Sequence, residues 1–203
     1  MCSLGRGFLL AFLLASAFAL SSCIIGVATT AVTGVTVAGD KRSLGSVVDD
    51  KVIVTKIIHG LIKNGTENSL SNISVNVCEG RVLLTGYVID IEFKDQAEKV
   101  AWLVRGVKEV MNDVVVTEKN IANAAKDSWL TTQLKAKFLV AKGVHSVNYQ
   151  ITSYNNVVYL LGIAENQEEL NKALKIAGEI RGASKVKSYV VVKNDTRRND
   201  NRH

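Results

Sequence analysis

The feature that most constrains this chain is that it repeats itself. The segments GRVLLTGYV (80–88) and NVVYLLGIA (156–164) share Val82/Val158, Leu84/Leu160 and Gly86/Gly162, each pair 76 residues apart. The same spacing pairs Ala97 with Ala173, Val100 with Ile176, Val104 with Ile180, and Arg105-Gly106 with Arg181-Gly182. It continues through Val110/Val186, Val114/Val190 and Val116/Val192. Upstream, Asp50, Ile53 and Ile57 pair with Asp127, Leu130 and Leu134 at a spacing of 77, so one loop differs by a residue. A repeat of this length is one supersecondary unit used twice, and any fold read for one copy must also suit the other.

Each copy opens with a helix whose apolar residues recur every four positions: Ile53, Ile57 and Leu61, or Leu130, Leu134 and Phe138. An alternating strand follows, with Ile73, Val75 and Val77, or Tyr149, Ile151 and Ser153. A tight turn comes next, where Gly80 or Asn155-Asn156 supplies backbone freedom. The second strand ends on Gly86 or Gly162, a residue expected to let a helix approach the sheet closely. A second helix carries Phe93, Ala97, Val100 and Val104 on one stripe, and the Arg-Gly pair is expected to end it. Val110, Asn112, Val114 and Val116 alternate along the last strand. The order α-β-β-α-β predicts an α+β fold, with two helices on one face of a three-stranded mixed sheet. The units are placed at 47–118 and 126–193, with a linker at 119–125 and a disordered tail at 194–203. The far sheet faces carry Val157, Tyr159, Leu161, Tyr189 and Val191, against Leu83, Tyr87 and Cys78. They are too apolar to face water, so they are expected to pack between the units. Trp102 falls opposite its helix's core stripe, either in that contact or exposed.

The first 22 residues read as a secretory signal peptide. Arg6 precedes thirteen apolar or small residues, Phe8–Leu20, and Ser21 and Ser22 follow. A bilayer core needs about 20 apolar residues, so this run is too short to span comfortably. Leu20-Ser21-Ser22-Cys23 resembles the lipobox of bacterial lipoproteins. That resemblance implies cleavage before Cys23, diacylglycerol (palmitate-type acyl chains) on its thiol, and acylation of the new amine. One acyl chain binds a membrane marginally, whereas two or more hold firmly. Ile24 follows the cysteine, and the absence of aspartate there resembles an outer-membrane sorting signal. Residues 24–46, rich in Gly, Thr, Val and Ser, read as a tether reaching roughly 25–30 Å as a coil. Once Cys2 leaves with the signal and Cys23 is acylated, only Cys78 remains, so no intramolecular disulfide framework is expected, and Cys78 is expected to pack inside a strand.

The second-strand pattern G-x-V-x-L-x-G and the closing G-x-x-x-V-x-x-x-V-x-V resemble the BON domain, across nearly the whole chain after Cys23. Tandem copies behind a lipobox resemble the dual-BON outer-membrane lipoproteins of Gram-negative bacteria. The resemblance implies a periplasm-facing protein that binds anionic phospholipid of the phosphatidylglycerol kind through the first helix of its second unit. It also implies a role in envelope integrity and at division sites. No cofactor or metal is implied, and no nucleic acid, which is an improbable partner outside the cytoplasm. His59, His145 and His203 stand apart from any ligand set, and no nucleophile or phosphate-loop motif is present, so the chain reads as non-enzymatic.

Charge separates the copies. Residues 49–118 hold eight Lys/Arg and eleven Asp/Glu, net −3, whereas 126–193 hold ten and five, net +5. The helix KDSWLTTQLKAKFLVAK turns Leu130, Leu134 and Phe138 toward its sheet and leaves Trp129, Thr132, Ala136, Leu139 and Val140 on a second strip. Lys135 and Lys142 border that strip, with Lys126 and Lys137 on its other flank. Interfacial helices use this arrangement: the ring and aliphatics enter the headgroup boundary while ammonium groups meet phosphates. The phospholipid-binding set is therefore Trp129, Thr132, Lys135, Ala136, Leu139, Val140 and Lys142, with Cys23 as lipid anchor. Two other readings stay open. Trp129 could instead pack against the neighbouring unit, and the basic unit could dock an acidic protein of the envelope-assembly machinery.

Overall fold

The computed structural model describes residues 44–64, 70, 72–118 and 122–193, with side chains from residue 49 onward. The signal segment, Cys23, nearly all of the tether and the tail lie outside the described residues.

The first copy runs α1 (Leu44–Asn64), β1 (Ile73–Cys78), β2 (Arg81–Val88), α2 (Ile91–Trp102), β3 (Glu109–Asn112) and β4 (Val115–Val116). The second runs α3 (Ala124–Val140), a short 3₁₀ turn (Ser146–Asn148), β5 (Tyr149–Tyr154), β6 (Val157–Ala164), α4 (Gln167–Gly178) and β7 (Lys185–Val192). In each copy the first two strands pair antiparallel and the last runs parallel to the middle one, in order β1-β2-β3 and β5-β6-β7. The α-β-β-α-β reading with a mixed sheet therefore holds in both copies. The final strand of the first copy is interrupted at Asp113–Val114. Its register survives the break, because Leu84 pairs with Asn112 and Tyr87 with Val115. Within the gap, Asn112 Oδ1 accepts from the Val114 amide, a local bond that competes with the ladder.

The helix stripes behave as spaced. Ile53, Ile57 and Leu61 are buried, as are Leu130, Leu134 and Phe138, and each set closes a core over one face of its own sheet. Both hairpins are two-residue turns with positive φ throughout, Glu79 (53°) and Gly80 (77°), Asn155 (49°) and Asn156 (62°). Such turns match the strand twist, but left-handed backbone is unfavourable for residues carrying a Cβ. A buried carboxylate from the leading helix stabilises each one. Asp50 accepts from the amides of Glu79 and Gly80 at 2.8 and 2.9 Å. Asp127 accepts from those of Asn155 and Asn156, both at 2.9 Å.

Two glycine roles differ from expectation. The neighbour that Gly86 and Gly162 admit is backbone, not a helix. A Cβ at Gly86 would stand 2.1 Å from the Asn72 carbonyl oxygen, and one at Gly162 2.2 Å from that of Asn148. The Arg-Gly pairs do not end the second helices, which stop at Trp102 and Gly178. Gly106 and Gly182 are left-handed (φ 97° and 93°) a few residues later, in the turn that runs under the leading helix, facing Ile53 and Leu130.

The two copies meet sheet to sheet. Cys78, Leu83 and Met111 from the first bury against Tyr159, Leu161, Ile163 and Val191 from the second, with Tyr154, Val157 and Tyr189 at the margin. Cys78 is fully buried in this seam. Tyr87 stacks on Tyr154 with ring centroids 6.5 Å apart. Asp113 accepts from both Lys187 and the Tyr189 hydroxyl. Arg81 reaches Glu109 at 2.6 Å and the Tyr189 carbonyl at 2.8 Å. Burial, reinforced by Asp113, pushes the Tyr159 hydroxyl up to about 12. Trp102 is about half exposed.

Substituting Asp127→Ala strips two turn amides of their acceptor, and hydrogen bonds to charged groups contribute roughly 1.5–3 kcal/mol each. Urea denaturation is expected to show a loss of about 3 kcal/mol, and Asp127→Asn, which keeps one oxygen, a smaller one. A loss no larger than that of an exposed alanine substitution on the same helix would contradict this role for the carboxylate.

Candidate lipid-contact surface

α3 begins where Asn123 caps it, its side chain accepting from the Lys126 amide at 3.0 Å. With Leu130, Leu134 and Phe138 turned into the core, the helix must present its other residues outward. Trp129, Thr132, Lys135, Ala136, Leu139, Val140 and Lys142 are all exposed, as are Lys126 and Lys137. The apolar members are strongly so: Trp129 is 51 %, Leu139 76 % and Val140 79 % accessible. The indole leans on its own unit, since a Cβ added at Gly182 would stand 3.8 Å from Trp129 Cζ3. It takes no part in the apolar seam between the copies. A half-seated tryptophan has a fixed direction and a free edge, whereas Leu139 and Val140 project at the last turn of the helix.

The structure adds a groove beside this strip that periodicity did not reveal. About 440 Å³ opens between α3 and the 3₁₀ turn, bounded by Thr132, Lys135, Ala136 and Leu139 on one side and by Ser146, Val147, Tyr149 and Ile151 on the other. Its lining is overwhelmingly apolar. Val147 is 53 % accessible and extends the apolar edge of Leu139 across the gap. It sits in a three-residue turn with no helical or strand period, so an isolated valine there carried no sequence signal.

A buried carboxylate holds that wall in place. Glu169, in the first turn of α4, accepts from the His145 amide at 2.8 Å, the Glu165 amide at 2.9 Å and His145 Nδ1 at 3.2 Å. Burial pushes its carboxyl up, but these bonds from His145 and Glu165 more than offset that, and the net shift is downward. The first copy has Phe93 at the matching place, so this support belongs to the second unit alone.

The corresponding helix of the first copy exposes Val52, Ile58 and Ile62, without tryptophan. Among the described residues, no group of His, Cys, Asp and Glu could hold a metal ion. No helix among them is long and apolar enough to cross a membrane.

The BON domain family model matches residues 49–118 and 126–194, one match per copy. Outer membrane lipoprotein DolP of Haemophilus influenzae is 35% identical over 178 residues, 87% of this chain and 92% of that protein. An Anaplasma centrale protein described by its place in the gshII 5′ region is 42% identical over 72% of this chain and 96% of its own length. Osmotically-inducible protein Y of Escherichia coli is 29% identical over 91% of this chain and 94% of its own.

The direction of the Glu169 shift fixes the sign of an acid response. A carboxyl whose folded pKa lies below its ordinary 4.5 contributes stability that is complete above that value and lost as pH falls through the folded one. The urea midpoint of the parent is expected to fall more steeply below about pH 4.5 than that of Glu169→Gln. The variant should also be the less stable protein at pH 7. Parallel pH profiles would contradict this role.

Proposed function

The chain belongs to the BON-domain family, and from that premise we propose that it is a lipid-anchored outer-membrane protein facing the periplasm, whose second unit binds anionic phospholipid. Cys23, acylated, supplies residence at the membrane, and α3 supplies the choice of lipid. The protein acts by binding rather than by catalysis, in support of envelope integrity and cell division.

The observation that carries this reading is the exposed strip of Trp129, Leu139 and Val140 set among Lys126, Lys135, Lys137 and Lys142. Fully burying one large apolar side chain is worth roughly 1.5–3 kcal/mol, and a basic residue near an anionic surface adds about 1 kcal/mol, screened by salt. A few such terms give only weak attachment in solution. Beside an acyl anchor the same contacts become intramolecular, and weak terms then suffice. The net +5 of the second unit against −3 for the first also favours an anionic surface. The similarity to an outer membrane lipoprotein over most of both chains supports the location, as does the lipobox-like Leu20–Cys23.

The test is vesicle flotation of the chain from residue 23 with Cys23→Ser, which removes the anchor. Co-flotation is expected with vesicles containing phosphatidylglycerol and not with purely zwitterionic ones. Trp129→Glu should reduce partitioning by at least tenfold, and 1 M salt should weaken it further. Flotation indifferent to both the substitution and the lipid charge would favour docking of an acidic envelope protein on the same face.

A further inference from the structure

The apolar groove is one half of a larger feature. A second cavity of about 480 Å³ continues along the same side of α3 toward its N-terminus, against the edge of β5, the start of the second unit and Asn76 of β1. Thr132, Lys135 and Ile151 line both cavities. The second is different in character: about half its lining is polar, through Ser128, Thr131, Thr152 and Ser153, with Asn76 opposite. Thr131 Oγ1 bonds Ser153 Oγ at 3.0 Å, which keeps these hydroxyls in a row. The Asn76 amide nitrogen is buried there without an acceptor. Buried polar atoms in folded proteins are nearly always satisfied, so an unpartnered donor in a cavity wall marks a place for a ligand or water oxygen. Asp127 also lines this cavity, but both its carboxylate oxygens are engaged by the turn amides of Asn155 and Asn156.

One edge of α3 thus borders a greasy slot and, next to it, a hydroxyl- and amide-lined one. At their junction stands Lys135, exposed and without an ion-pair partner among the described residues. The geometry points to a seat for a single phospholipid molecule. An acyl chain lies in the slot between Leu139 and Val147, the phosphodiester meets Lys135, and a hydroxylated headgroup reaches Ser153 and Asn76. Each volume falls within the roughly 300–1,000 Å³ of small-molecule sites. The polar wall favours a polyol headgroup over a quaternary ammonium, which has no hydrogen to donate and no lone pair to accept with. This inference rests on the membrane-binding reading above but differs from it in kind. Insertion of Trp129 into a bilayer needs an assembled surface, whereas the seat takes one lipid at a time.

The test uses the chain from residue 23 with Cys23→Ser and dihexanoyl phosphatidylglycerol below its micelle concentration, followed by titration calorimetry and amide chemical shifts. Saturable one-to-one binding is expected, with shifts at Val147, Thr152, Ser153 and the Asn76 side-chain amide. Dihexanoyl phosphatidylcholine and glycerol phosphate, which lack the headgroup match and the tail respectively, should each bind at least tenfold more weakly. Ser146→Trp, which fills the slot from the wall opposite α3, should cost at least tenfold in monomer binding while vesicle flotation persists. Lys135→Gln should narrow the preference between the two headgroups. Flotation without monomer binding would overturn the seat and leave the membrane surface standing. Loss of both would sink the two together. Monomer binding that Ser146→Trp leaves unchanged, or that treats both headgroups alike, would also refute the seat.

Discussion

The structure depends, twice over, on one carboxylate reaching from a leading helix to the tip of the next hairpin. A two-residue turn with both residues left-handed is the right connector for twisted strands, but its two amides point away from the ladder. In the first copy those amides find Asp50, 29 and 30 residues earlier, and in the second they find Asp127. The bond closes the helix over the sheet at one end and sets the angle at which Ile53 and Ile57, or Leu130 and Leu134, enter the core. It thereby decides which face of the helix is left outward. The position of Trp129 follows from this, because it is two residues beyond the carboxylate that fixes the helix.

With both sheets covered by helices on one side, their bare faces had to meet. The seam they form is not symmetric. Arg81 of the first copy has Val157 at its repeat position, and Asp113 bonds Lys187 and Tyr189, so polar partners come from opposite copies at specific points. These bonds set the alignment of two otherwise greasy surfaces, since apolar contact alone is non-directional. Duplication left two equal units, and the seam made them unequal.

Much of this could be read from the residues alone. Repeated spacing exposed both units, the strand order, the buried stripes and the apolar faces that had to pair, because period and burial are linked by simple geometry. Asp50 and Asp127 stood at matching positions before any contact was known, although what they bonded was not visible. The outward strip on α3 was legible for the same reason, as the complement of the core stripe. The groove wall was not. Val147 lies in a turn without period, and its placement depends on Glu169, a carboxylate 22 residues away in sequence. Gly86 and Gly162 read from the sequence as places where a helix nears the sheet, whereas the neighbour is the backbone of Asn72 or Asn148, just before the paired strand, which only the tertiary fold decides.

The two copies also show how a shared fold allots its surfaces. The sheet faces are consumed by the seam and the inner helix faces by the cores, so what remains for partners is the outer side of each helix and the loop edges. On that remainder the first copy places Ile58 and Ile62 within a net negative unit, and the second places Trp129, Leu139 and Val140 among lysines. Both leading helices carry exposed lysines, Lys51, Lys56 and Lys63 on the first, so the copies differ in the tryptophan and in the net charge of the unit around the strip rather than in the presence of cations. One exposed aromatic and a shift in the net charge of the surrounding unit, over cores built on the same spacing, are enough to give two units of one fold different outer surfaces.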